Sequence, residues 1–343
     1  MHNTSRNTIL FVVLPVTAVF AFVLNVSFGS VSIPLEDVFR SLTGGTASRE
    51  TWEYIIFNYR LPKAVTAVLA GTGLSVSGLL MQTLFRNPLA GPDVLGLSSG
   101  SSLGVAFVIL GAGLLPMFAS SLLLSSYGVI LASCLGSFLV LMGVLVVSRR
   151  LRNTMAILIV GLMFGSFASA IVGVLTYYST AEQLQKFSFW ALGNLGNLSW
   201  DSVLFLAIAV TLGLLLAILC IKPLNALLLG ENYAKSLGVN LKKSQFLIII
   251  STSVLAGSIT AFAGPIAFVG LAVPHIAKLL LRTSSHNILF WGTFICGAII
   301  MLACDMLSHL PGSDITLPIN AITSIIGAPI VIWLLVRKHN TLS

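Results

Sequence analysis

Charge is what this sequence has least of. Asp, Glu, Lys and Arg make up only 8% of its 343 residues, where a soluble chain carries about a quarter. Mean hydropathy is +1.02. The shortage excludes a soluble enzyme or binding module, and no soluble domain of useful size is expected. Acids are scarcer than bases, ten against 18, and only Asp305 falls within an apolar run, toward its end. An ion-coupled secondary transporter, the alternative from another class, wants carboxylates near the bilayer midplane and is short of them. The five histidines are scattered without HExxH, and GxSxG and paired His or acid residues within the apolar runs are missing, so a membrane-embedded enzyme lacks its catalytic set. The four cysteines (Cys134, Cys220, Cys296, Cys304) sit in apolar runs without CxxC spacing. They read as small hydrophobes, with neither a metal site nor a redox pair. A net charge of +8 could suggest nucleic acid, but the bases stand singly and form no continuous basic face. Gly238–Ser244 resembles the end of a P-loop; it lacks the glycine before the lysine, and no buried strand precedes it. No catalytic residue, and no cofactor bound by this chain, is expected.

What remains is length and apolar sequence, in segments of roughly 17–25 residues that suit a bilayer core. Ten can be marked, near 8–28, 64–85, 94–115, 122–147, 155–178, 203–221, 246–262, 266–281, 288–307 and 315–336. The N-terminus starts like a signal peptide. Its apolar part is too long and no small-residue cleavage site follows, so it reads as a retained first span. With ten crossings and a cytoplasmic N-terminus, the inner side holds Arg6, Arg86, Arg149, Arg150, Arg152, Lys222, Lys235, Lys242, Lys243, Lys278, Arg282, Arg337 and Lys338. The outer side holds only Arg40, Arg49, Arg60, Lys63 and Lys186. This bias obeys the positive-inside rule and places both termini in the cytoplasm. The segment 266–281, short and interrupted by Pro274, is the weakest span.

Two outer connections, 29–60 and 179–200, are too long for tight turns. The first has an amphipathic piece around Pro34–Leu42, and the second carries Trp190, with Trp200 at its end. The longest inner connection, 222–245, is polar, basic and helix-capable in its middle. Small and polar residues line single helix faces at Gly71/Ser75/Gly78/Gln82, Gly96/Gly100/Gly104, Ser253/Gly257/Thr260/Gly264 and Asn320/Ser324/Gly327. Close helix packing accounts for any one stripe. Four of them, two with amides, point to a large bundle around a polar path.

The stretch from Arg60, "RLPKAVTAVLAGTGLSVSGLLMQTLFRNPLAGPDVLGLSSGSSLG", breaks the apolar pattern at Gln82, Arg86, Asn87, Pro88, Pro92 and Asp93. It resembles the signature of the FecCD-type permeases of type II ABC importers. Three later blocks match in order: "GENYAKSLGVN" (230–240), "GPIAFVGLAVPHIAKLLL" (264–281) and "LPINAITSIIGAPIVIWLL" (317–335). The resemblance implies an all-α polytopic membrane protein of about ten transmembrane helices per subunit, with residues 1–343 as one permease domain in the inner membrane. It implies a second permease subunit, making a homodimer, and two cytoplasmic ATPases that use ATP and Mg. It also implies a periplasmic or lipid-anchored binding protein. An iron–siderophore is the expected cargo, with haem or a corrinoid such as vitamin B12 as alternatives. It places Gln82, Asn87, Leu89 and Thr154 on the translocation path or gate. Arg60, Lys63 and His309 are assigned to binding-protein docking, and Glu231, Ala234, Lys235 and Gly238 to ATPase coupling. His275 takes a structural role near the inner surface, and haem contact is an alternative for His309. The chain departs from the family where Lys63 replaces an arginine, at Lys278, around His286, and along Cys304–His309. The outer docking surface is therefore expected to be weaker, pH-sensitive or matched to an unusual partner.

Overall fold

The computed structural model describes residues 2–29, 31, 33–111, 124–148, 154–196, 198–309 and 316–339. The basic cluster Arg149, Arg150 and Arg152, Asp314, and the side chains of Thr154, Arg337 and Lys338 lie outside the described residues. Among those described, backbone order is helical apart from one isolated bridge, His309 to Thr316.

In chain order the helices are α1 (His2–Ser27), α2 (Leu35–Leu42), α3 (Glu50–Ile55), α4 (Leu61–Leu84), α5 (Leu97–Ile109), α6 (Ser126–Ser148), α7 (Thr154–Tyr177) and α8 (Ala181–Ala191). They continue with α9 (Trp200–Leu219), α10 (Ile221–Leu228), α11 (Glu231–Ser236), α12 (Leu241–Ala263), α13 (Val269–Leu281), α14 (His286–Leu307) and α15 (Ile319–His339). Among the described residues, seven apolar runs are long enough to cross a membrane, including a continuous Glu50–Leu84, and Leu97–Ile109, Val269–Leu281 and Ile319–Trp333 are shorter apolar helices. Together they fall on the ten segments read from composition. α5 and α13 have 13 residues each, about 20 Å of helix at 1.5 Å per residue. That is short of a ~30 Å core; a 3-10 turn, Pro92–Leu95, precedes α5, and irregular backbone at 264–268 precedes α13. Such backbone is tolerated at membrane depth where protein surrounds it.

The connections hold more helix than their polarity suggested. Residues 29–60 form α2, α3 and a π-turn, Ile56–Arg60, that runs into α4 without a break. α2 is the expected amphipathic piece and buries Asp37, Val38 and Ser41. Asp37 Oδ1 accepts the Ser48 amide at 2.8 Å and the Ser48 hydroxyl at 2.6 Å. These bonds favour the ionised carboxylate and hold its pKa below the usual 3.8. A lowered native pKa gives stability that is present above the unfolded value and lost as pH falls through the native one. The Ser48 amide is therefore expected to stay protected from hydrogen exchange down through pH ~4 and to lose protection only in stronger acid. In Asp37→Asn the protection should be weaker at neutral pH and insensitive to acid. An unchanged Ser48 exchange profile in that variant would refute the role.

The chain forms two compact units, one of residues 1–76, 194–208 and 266–343, the other of 77–193 and 209–265. In the first, α14 packs against α1, α13 and α15. Backbone meets backbone where a Cβ on Gly71 of α4 would strike the Gly297 carbonyl of α14, and a Cβ on Gly297 the Gly71 carbonyl. The turn before α13 is fixed by α15. Asn320 Oδ1 accepts the Ala267 amide at 3.0 Å, and Gly327 leaves room for Phe268, which sits at φ 66°. In the second unit α5 is central, packed on α6, α7, α8 and α12. A Cβ on Gly100 would lie 2.7 Å from the Gly136 carbonyl, and one on Gly104 would strike Ala132. Ser137 of α6 lies against Gly257 of α12 and bonds Ser101 at 2.5 Å. Gly264 backs onto the Trp190 carbonyl and Gly193. All four small-residue stripes therefore meet neighbours inside this chain. Packing accounts for them, and they do not by themselves mark a polar path.

Candidate functional site

Two polar sites interrupt the apolar fold, one at each end of α4. Three arginines explain much of their construction. The last carbonyls of a helix have no intrahelical partner and carry partial negative charge. Arg6 Nη2 donates to Leu281 O at the end of α13, 3.1 Å. Arg60 Nη1 donates to Val26 O and Ser27 O at the end of α1, at 2.8 and 2.6 Å, and its Nη2 to Val31 O. Arg86 Nη2 donates to Leu227 O at the end of α10, 2.9 Å.

The first site belongs to the first unit. Lys63 Nζ lies 3.0 Å from Asp305 Oδ1, and Asn25 Nδ2 donates to Asp305 Oδ2 at 2.9 Å. His309 Nε2 is 3.0 Å from Lys63 Nζ, and its Nδ1 is 3.0 Å from the Asp305 carbonyl. An ammonium has no acceptor. Nε2 therefore accepts from Lys63, and Nδ1 carries the proton donated to Asp305 O. A cavity of about 300 Å³ opens between these residues, Arg60, Tyr59 and Gly196. Trp200 Nε1 donates to Phe57 O in the adjoining π-turn, 2.8 Å.

Arg60 and Lys63 were expected as outward-facing cations for a partner. The chain uses both internally. Arg60 is buried, 8% exposed, and committed to three carbonyls; Lys63 is paired with an Asp305 side chain only 4% exposed. The free end of α1 and the buried carboxylate supply the reason, because each would otherwise be left unsatisfied away from water. His309 is half-buried in the same network. Asp305 and Asn25, which complete it, were not singled out as site residues from sequence. The one signal was an acid inside an apolar run.

The second site belongs to the second unit. The Asn87 amide donates to Gln82 O and the Arg86 amide to Thr83 O, with Arg86 at φ 47°. This is the Schellman ending of a helix, a left-handed residue at C′ closing a 6→1 and a 5→2 bond. Pro88 then prevents continuation. Asn87 Oδ1 accepts the Leu89 amide at 2.9 Å, and Ala90 N donates to Asn87 O. After the Pro92–Leu95 turn, Gly96 at φ 73° lies against Gly161 and Gly165 of α7. Asn87 is half-buried, Leu89 is 41% exposed, and Gln82, half-buried and engaged, lies in α4's last turn. Thr154 is the first residue of α7.

α11 repeats the Schellman ending, from Val239 N to Ala234 O and Gly238 N to Lys235 O. Here a glycine, Gly238 at φ 82°, takes the left-handed position, and a Cβ there would meet only open space. Its requirement is conformational and does not come from close contact. Asn240 then caps α12 through the Lys243 amide, so the stretch that resembles a P-loop is a helix cap. Ala234 was expected at the surface facing an ATPase. It is fully buried within the chain, because on a six-residue helix the small side chain is the one that lets α11 sit down. The outward face carries Tyr233 and Leu237, 52% and 57% exposed, beside exposed Lys235, and Leu228 at the end of α10 and Leu229 just after it are exposed too. The i, i+4 spacing of Tyr233 and Leu237 was the sequence signal for this face. Glu231 lies in the first turn of α11 and is engaged.

The FecCD transport family model matches residues 17–337. The hemin transport system permease protein HmuU of Yersinia pestis is 34% identical over 302 residues, 88% of each chain. The vitamin B12 import system permease protein BtuC of Klebsiella pneumoniae is 36% identical over 288 residues, 84% of each. A solved structure described as a metal-chelate type ABC transporter in an inward-facing conformation superposes with TM-score 0.81 at 31% identity, covering 96% of this chain and 99% of that one. Many apolar helices, a polar break at the end of α4, and these matches over nearly the whole length make the chain a multi-pass membrane permease of the FecCD transport family.

Proposed function

We propose that this chain is the membrane-spanning subunit of an ATP-driven importer and that it carries an iron chelate. It pairs with a second copy and is driven by two cytoplasmic ATPases that use ATP and Mg. A periplasmic or lipid-anchored binding protein supplies the cargo, and both termini are cytoplasmic. The observation that carries this reading is the apolar patch of Leu228, Leu229, Tyr233 and Leu237 on a basic connection between two membrane helices. Apolar residues gathered on such a connection mark a protein contact. The chain's lack of a nucleotide-binding sequence leaves the ATPase as that contact. The gate is assigned to Gln82, Asn87, Leu89 and Thr154. An ion-coupled carrier is disfavoured because Asp305, the acid inside an apolar run, is already paired with Lys63 and Asn25. The iron-chelate assignment rests on the likeness to the metal-chelate type structure. Haem and a corrinoid remain the second reading, from the names of HmuU and BtuC.

Proteoliposomes holding the chain with its ATPase and binding protein are expected to take up a ferric siderophore in proportion to ATP hydrolysed. Uptake of haemin or cyanocobalamin alone would move the cargo assignment. Uptake driven by a sodium or proton gradient without ATP would overturn the importer. Leu237→Asp, which puts a charge into the patch, is expected to weaken ATPase association at least about tenfold, ~1.4 kcal/mol, with the spans intact.

A further inference from the structure

Helices α4 and α11 end in the same hydrogen-bond pattern, yet one uses glycine at the left-handed position and the other uses arginine. Glycine meets that backbone requirement without strain, whereas a side chain there is disfavoured. An arginine in this place has some use for its side chain. Arg86 sends Nη2 2.9 Å to the Leu227 carbonyl, and Gly230, at φ 116°, leaves space beside the same guanidinium. Leu227 lies in the last turn of α10, immediately before the Leu228–Leu229 and Tyr233–Leu237 patch.

We infer that Arg86 is a positioning residue that couples the α10–α11 connection to the Asn87–Ala90 turn. This rests on the reading of that connection as the ATPase contact and of Leu89 as part of the gate. Displacement of α10 pulls on the Leu227 carbonyl and hence on the guanidinium. The guanidinium is attached at the residue whose amide closes the end of α4. Asn87 and Leu89 follow it directly and are tied together by the Asn87 Oδ1 bond, so the turn moves as a piece. Its far end is held by Gly96 against Gly161 and Gly165, so a pull at Arg86 swings the segment about that attachment. A rigid segment with one fixed and one driven end transmits displacement without a continuous chain of side chains.

The test needs no knowledge of cargo. In the assembled complex, with the four native cysteines replaced by alanine, Leu89→Cys is labelled with a maleimide, with and without ATP and vanadate. The parent is expected to show a tenfold or larger change in labelling rate on nucleotide trapping. Adding Arg86→Gly, which keeps the left-handed backbone and removes the bridge, should cut that change below twofold while thermal stability and ATPase assembly are retained. Arg86→Lys, which keeps charge and one donor, should restore part of it. A full tenfold response in Arg86→Gly overturns the inference. So does failure of Arg86→Gly to assemble, which would make Arg86 a structural cap only. Absence of a nucleotide response in the parent overturns the reading of Leu89 as a gate. Normal ATPase binding by Leu237→Asp overturns the reading of the connection, and these two outcomes separate failure of the functional reading from failure of the strut.

Discussion

Asp305→Ala is expected to destabilise the protein by about 3 kcal/mol, the lower end of what breaking a buried ion pair costs. The carboxylate accepts from Lys63 at 3.0 Å and Asn25 at 2.9 Å and is almost wholly enclosed. Its removal leaves an ammonium beside the neutral Nε2 of His309, which accepts a hydrogen bond but supplies no counter-charge. Lys63 keeps 19% of its side chain exposed, so water relieves part of the penalty and the upper end of the range is not reached. The double variant Lys63→Met, Asp305→Leu removes both charges and replaces them with apolar volume. It should recover most of the loss, since a pair taken out together leaves no orphan. Unfolding of the single and double variants in mixed micelles measures both terms. A single variant within about 0.5 kcal/mol of the parent, the range of ordinary surface substitutions, would show that the pair does not hold α4 to α14.

Gly297→Leu should have a larger effect, above about 3 kcal/mol, beyond the usual 1–3 kcal/mol of overpacking. In most cores an added side chain displaces other side chains. Here the obstacles are the Gly71 carbonyl and Ser75 Oγ, the latter 2.5 Å from where a Cβ would stand. Backbone relaxes only if the helix moves, so α4 and α14 must separate. Gly173→Leu is the control. It lies in α7 with nothing within 4 Å of its added Cβ, and it should change stability by less than about 0.5 kcal/mol. Yield of folded protein and its unfolding midpoint give the comparison. Equal behaviour of the two variants would mean that the Gly71–Gly297 contact is not a tight one.

A cation that breaks the positive-inside trend invites an external partner as its explanation, and Arg60 and Lys63 both invited it. Each also has an internal partner: a helix end for one and a carboxylate for the other. The Arg60 guanidinium is mostly buried and committed to three carbonyls, and what it still presents faces the cavity it lines with Lys63 and His309.

Composition and periodicity alone determined that the chain is a polytopic helical membrane protein with ten apolar segments, and that it lacks catalytic, metal and nucleotide motifs. These follow from local sequence because a bilayer imposes the same demand on every span: about 20 apolar residues with internal hydrogen bonds. The polar break after α4 was equally legible, since Arg-Asn-Pro cannot continue a membrane helix. Tertiary structure decided what each polar group does. Arg60, Arg86 and Arg6 look alike in sequence, yet they serve the ends of α1, α10 and α13, which are distant in the chain. Small residues placed at helical spacing give a face but not its partner, so the stripes could equally have lined a path or met another helix. Ala234 reads as accessible in a polar connection until α11 is folded onto the unit beneath it. Hydrogen bonds and close approaches between residues remote in sequence are set only when the helices pack, and the roles of the charged residues in this protein depend on them.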